Sequence, residues 1–127
     1  MNKKILIVDD EVHIRALLEQ SLEDLEDAGV EIFLARDGEE GLRFAKEEKP
    51  DLMFLDIMMP KKNGYEVCEE IKRDSELKDI YIIMLTAKGQ AADKVRGEDV
   101  KANEYITKPF NPDEILQKAS DILRVQI

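Results

Sequence analysis

The chain has a single cysteine, a single histidine and no long basic or apolar tract, and each scarcity closes off a class of function. Cys68 alone cannot form an internal disulfide, and a reducing, cytoplasmic setting is the simplest expectation. With His13 as the sole histidine, a multi-histidine metal centre is excluded. No apolar run approaches the roughly 20 residues that a membrane-spanning helix needs. The opening Met1-Asn2-Lys3-Lys4 is not followed by the apolar core of a signal peptide. A net charge of −10 without a basic tract argues against nucleic-acid binding by this domain itself. A P-loop nucleotide site is disfavoured, because no glycine-rich Lys-Ser/Thr motif exists.

What is present is a chain of 127 residues, 43% hydrophobic and 38% charged. That length and balance suit one compact domain over residues 1–127 with a sizeable core. Five short apolar runs, Ile5–Val8, Val30–Leu34, Leu52–Leu55, Ile80–Leu85 and Tyr105–Ile106, read as buried strands. Amphipathic segments separate them. Ile14, Leu17, Leu18, Leu22 and Leu25 share one helical face, with Gly29 as a stop. Leu42, Phe44 and Ala45 predict a second helix starting near Asp37-Gly38, and Val67, Cys68 and Ile71 a third. Ala92 and Val95 give a weak fourth, and Ile115, Leu116, Ala119, Ile122 and Leu123 a clear fifth. Asn111 as cap, Pro112 in the first turn and Asp113-Glu114 at the positive end of the helix dipole mark where the last one begins.

Strand alternating with helix implies an α/β fold, a parallel sheet with helices on both faces. Parallel connections put every strand's carboxyl end on one edge, where ligands of open sheets bind. The residues that follow the strands are Asp9 and Asp10, Asp56, Thr86 and Lys108. For Asp9 and Asp10, a helix N-cap explains one acid and leaves the other over. Asp56 lies between apolar neighbours in Phe54-Leu55-Asp56-Ile57-Met58, where a solvated acid is out of place. Three carboxylates at one edge cannot all ionise cheaply without a cation. An oxygen-only donor set points to a hard ion, Mg²⁺. With a lysine and a hydroxyl added, the set suits phosphoryl chemistry on one nucleophilic carboxylate.

The ordered pieces ILIVDDE, DLMFLDIMMPKKNGYEVCEEIK, YIIMLTAK and YITKPF resemble the receiver domain of bacterial two-component response regulators over essentially the whole chain. The resemblance implies a flavodoxin-like, doubly wound five-stranded parallel sheet in the order 2-1-3-4-5, with five helices on both faces. It implies a signalling domain rather than an enzyme, one that catalyses its own phosphorylation and dephosphorylation. Asp56 would accept a phosphoryl group from a sensor histidine kinase or a histidine phosphotransfer protein. Asp10, Asp56 and the backbone carbonyl of Met58 would hold Mg²⁺, with Asp9 acting through water. Lys108 would pair with the phosphoryl group and Thr86 would hydrogen-bond it. Tyr105 would move as the aromatic switch, and Met58 and Lys88 would tune attack by water. Pro60 and Gly64 would shape the loop after Asp56, and the Lys108-Pro109 bond would be cis.

The signal would leave through the face of helix four, strand five and helix five, towards an output domain or partner. Lys94, Glu98, Glu104 and Lys118 on that face suit a phosphorylation-promoted homodimer, with membranes and nucleic acid excluded as direct partners of this domain. Two positions depart from the family pattern. Lys101 stands where a residue suited to a left-handed cap is usual, and Asn103 stands where an acid is usual in the dimerising branch. An aspartate-nucleophile phosphatase of the haloacid dehalogenase type would need a second acid where Met58 stands. A receiver degenerated to a binding module would not need all of Asp9, Asp10, Asp56, Thr86 and Lys108.

Overall fold

The five apolar runs form β1 (Lys4–Val8), β2 (Glu31–Ala35), β3 (Leu52–Asp56), β4 (Tyr81–Ala87) and β5 (Glu104–Lys108). In the computed structural model, which describes residues 2–87 and 102–127, every neighbouring pair is parallel. The sheet order is β2-β1-β3-β4-β5, as the resemblance implied. The described helical segments are α1 (Val12–Ser21), α2 (Glu23–Asp27), α3 (Gly38–Glu48), α4 (Gly64–Arg73) and α5 (Pro112–Leu123). The expected helix around Ala92 and Val95 lies outside the described residues. So do Lys88, Lys94, Glu98 and Lys101.

Strand side chains alternate between two cores, and the sequence pattern dictates which. Leu6 and Val8 of β1 pack with Met53, Leu55 and Met84 beneath α3 and α4. Ile5 and Ile7 pack with Leu52, Phe54, Ile83 and Leu85 on the opposite face, beneath α1, α2 and α5. Each large apolar side chain buried contributes roughly 1.5–3 kcal/mol. A one-residue slip would send every β1 side chain into the wrong core, so the register is strongly specified.

The first helix departs from the expectation of one continuous segment. The Ser21 hydroxyl donates to the Leu17 carbonyl at 2.7 Å, a back-bond that bends helices, and α1 ends there. Leu18, Leu22 and Leu25 are buried as expected, but Leu17 turns outward at 39% exposure. Gly29 stops the segment at φ +102. Among the described residues no helix is long and apolar enough to cross a membrane.

Candidate functional site

Register builds the site. Val8 of β1 pairs with Leu55 of β3, so the next residues, Asp9 and Asp56, leave the sheet side by side. Asp56 pairs with Leu85, which puts Thr86 one step further along β4. Thr86 is buried, at 3% exposure. Lys108 closes β5 opposite Ala87, and its long side chain reaches back across the end of β4. Its ammonium donates to Asp9 Oδ2 at 3.0 Å and to Asp56 Oδ1 at 3.2 Å. One carboxylate oxygen from each of Asp9, Asp10 and Asp56 lies within 4.8 Å of the others.

The three acids are held differently. Asp9 is fully buried and fully engaged. Its N–H donates to the Ala35 carbonyl at 3.1 Å. Its Oδ1 accepts from the Glu11 N–H at 2.9 Å, and its carbonyl accepts from Arg15 Nη1 at 2.6 Å. Neither Asp9 nor Asp10 caps α1. The N-cap is Glu11, which makes no side-chain cap bond, so the capping explanation for one acid does not hold. The extended β1 exit leaves the Asp9 carboxylate at the right reach for the Glu11 N–H, one residue before the helix. Asp10 is exposed. Asp56 is 5% exposed. Burial, and then the charge of Asp9, push its pKa up to about 7, while Lys108 pulls the other way. Burial works against the charge of Lys108, but its hydrogen bond to Asp9 and the charge of Asp56 outweigh that and hold its pKa above the ordinary lysine value.

With all three carboxylates ionised, Lys108 leaves two negative charges to be balanced, which is the charge of one divalent cation. The donor set is all oxygen, as hard cations prefer. The residues present therefore fit a metal of that class.

Other expected site residues fall nearby or outside. Met58 is 63% exposed on the loop after β3, and Pro60 is exposed on the same loop. Gly64 opens α4 directly behind Asp56, where an added Cβ would meet the Asp56 carbonyl oxygen and lie 2.8 Å from Ile57 Cα. The Lys108-Pro109 bond is cis, as expected. Tyr105 is half-buried on β5 opposite Met84 and packs on the core beneath α3 and α4. Glu104 and Lys118 pair within the chain at 2.6 Å, and Tyr81 Oη donates to Glu104 at 2.6 Å.

The sequence placed the start of α3 near Asp37-Gly38, where it lies, and missed the start of α4. Asp37 caps α3, accepting from the Glu40 N–H at 2.9 Å. Asn63 and Glu66 form a reciprocal capping box on α4. The Asn-x-x-Glu spacing carried that second signal. Nothing in the periodicity singled out Arg15.

A family model for the response regulator receiver domain matches residues 5–120. The chain is 47% identical over 124 residues to the alkaline phosphatase synthesis transcriptional regulatory protein PhoP of Bacillus subtilis, covering 98% of this chain and 50% of that protein. It is 42% identical over 121 residues to the DNA-binding dual master transcriptional regulator RpaA of Synechocystis sp., covering 95% and 49%. The chain thus spans about half the length of these curated relatives. Among solved structures, the chemotaxis response regulator CheY4 of Vibrio cholerae superposes with a TM-score of 0.84 at 33% identity, over 96% of this chain and 99% of that one. Matched along nearly all its length in both sequence and fold, with an acidic pocket and a lysine at the carboxyl edge of its sheet, the chain belongs to the response regulator receiver domain family.

Proposed function

We propose that Asp56 accepts a phosphoryl group from a phosphohistidine of a sensor histidine kinase or a phosphotransfer protein, in the cytoplasm. One observation carries the choice among the three acids. Both Asp9 oxygens are occupied, by the Glu11 N–H and by Lys108, and Asp10 is exposed beyond the strand end. Asp56 is buried, yet only its Oδ1 accepts a hydrogen bond from the described residues. Its other oxygen keeps lone pairs for attack. In the transfer, the P–N bond to the donor imidazole breaks as a P–O bond to that Asp56 oxygen forms, giving an acyl phosphate.

Asp10, Asp56 and the Met58 carbonyl would hold Mg²⁺, with Asp9 acting through water. Mg²⁺, when bound, supplies positive charge against the transferring phosphoryl oxygens. Lys108, already bridging Asp9 and Asp56, supplies a fixed cation to the same oxygens. Thr86 donates its hydroxyl to the phosphoryl group. The same pocket serves the later hydrolysis, with Met58 and Lys88 controlling access of water. Thr86 and Tyr105 bias a two-state change that reaches the face of β5 and α5, towards an output domain or partner. Glu104 and Lys118 already pair within the chain, so a homodimer through that face would exchange this bond for its intermolecular equivalent.

The test is intact-mass measurement after treatment with acetyl phosphate and Mg²⁺. Wild type should gain one phosphoryl group and Asp56→Asn none. Equal labelling of the two would refute the assignment, and no labelling of either would refute the function.

A further inference from the structure

The least supported acid in the pocket is Asp10. Its carboxylate is exposed and accepts no hydrogen bond from the described residues, yet one of its oxygens lies within 4.8 Å of the Asp9 and Asp56 oxygens. What places it there must act through the backbone. Asp9, one residue earlier, is bonded at its N–H, at both carboxylate oxygens and at its carbonyl. The first and third fix Asp9 itself, and the second, from the Glu11 N–H, holds the peptide that follows Asp10. Only the fourth, from Arg15 Nη1 to the carbonyl at 2.6 Å, fixes the peptide that joins Asp9 to Asp10. That peptide is planar. Turning its carbonyl moves the Asp10 nitrogen and redirects the bonds at Asp10 Cα, the side chain included.

Two features of Arg15 set it apart from a solvated helix cation. It pairs with no carboxylate among the described residues, although acids outnumber bases in this chain 29 to 19. It also stands near the start of α1 (Val12–Ser21), the positive end of the helix dipole, where a cation is disfavoured. Its guanidinium is spent instead on a backbone oxygen.

We propose that Arg15 is a positioning residue for Asp10, holding the Asp10 carboxylate in the pocket through the Asp9 carbonyl and thereby setting the pocket's affinity for its divalent cation. This rests on the reading of the pocket as a Mg²⁺-dependent phosphoacceptor site. Charge alone makes the opposite prediction. Removing a cation from the neighbourhood of a Mg²⁺ site should tighten Mg²⁺ binding, whereas releasing Asp10 should weaken it.

Calorimetric titration of the whole chain with Mg²⁺ separates the two. Arg15→Met should raise the Mg²⁺ Kd about tenfold, the lower end for loss of an outer partner of a metal ligand. Labelling by acetyl phosphate should then approach the wild-type rate at saturating Mg²⁺, and the melting temperature should hold. Arg15→Lys, which keeps a donor and the charge, should recover most of the affinity. Arg15→Leu, which likewise has no donor, replaces the Met variant if that one does not fold. A Kd that is unchanged or lower in the Met or Leu variant overturns the proposal. So does an equal loss of labelling at saturating Mg²⁺, which would mark a general structural role. Absence of Mg²⁺ binding by wild type would instead overturn the underlying reading, and this inference with it.

Discussion

Replacing Gly64 by alanine should destabilise the domain and disturb Asp56 together, because the two backbones are in contact. The Gly64 N–H donates to the Ile57 carbonyl at 2.8 Å, which draws the first turn of α4 onto the end of β3. An alanine Cβ would lie 2.8 Å from Ile57 Cα and closer still to the Asp56 carbonyl oxygen. Ordinary carbon contacts are about 3.5–4.0 Å, so roughly 1 Å must be found. Both partners are main-chain atoms, so no rotamer change can supply it. Overpacking of this kind costs about 1–3 kcal/mol, and a rigid backbone partner argues for the upper end. Alanine recovers up to about 1 kcal/mol through helix propensity. The net loss should be about 2 kcal/mol, or roughly 8 °C in Tm for a domain of this size. Gly29→Ala is the control: it has φ +102 and nothing within 4 Å of the new atom, so it carries backbone strain alone, about 1 kcal/mol. Thermal melts should rank Gly64→Ala below Gly29→Ala, and only Gly64→Ala should slow labelling by acetyl phosphate. A Gly64→Ala protein that melts within about 2 °C of wild type and labels normally would refute the contact.

Two further outcomes follow from groups away from the pocket. The Lys72 ammonium donates to the Lys78 carbonyl at 3.1 Å, the Ile80 carbonyl at 2.7 Å and Asn103 Oδ1 at 3.0 Å. Lys72→Met should cost about 1 kcal/mol, since water can reach part of the site, and an unchanged urea midpoint would show that the ammonium ties nothing together. Burial pushes the Cys68 thiol up to about 11. A raised folded pKa means the unfolded chain releases this proton first, so the contribution is complete below about pH 9 and fades as pH rises towards about 11. Between about pH 8 and 10.5 wild type should lose about 2 kcal/mol more than Cys68→Ala. Parallel pH profiles in urea would contradict that.

Period-two burial on two faces made the sheet legible, because each β1 side chain has only one core it can enter. The cap at Asn111 was legible because Pro112 and two acids follow it, and its Oδ1 accepts from the Asp113 N–H at 2.8 Å; the cap at Asn63, followed by no such run, was missed. The break in the first helix was not legible either. It depends on one hydroxyl, Ser21, choosing the Leu17 carbonyl over solvent, and a serine in an amphipathic pattern carries no mark of that choice. Leu17 lies earlier, within the regular turns of α1, and faces outward while Leu18 and Leu22 are buried, so the periodicity still pointed to a helix there.

The pocket divides the same way. That Asp9, Asp56 and Lys108 would meet could be read from strand ends in a parallel sheet, since topology alone sets which ends share an edge. Which acid would be fully engaged could not, because that depends on reach: Lys108 must cross the end of β4 to bridge two carboxylates, and Glu11 must present its N–H to only one. Asn103 shows the limit from the other side. Judged against family members with an acid there, it reads as a lost charge. In the fold its Oδ1 accepts from both the Ile82 N–H at 2.8 Å and Lys72, while its own N–H donates to the Ile82 carbonyl at 3.0 Å. The position thus works as a splice between β4 and the approach to β5. A residue that weakens an electrostatic argument about one face takes part in the strand pairing that holds the face in place.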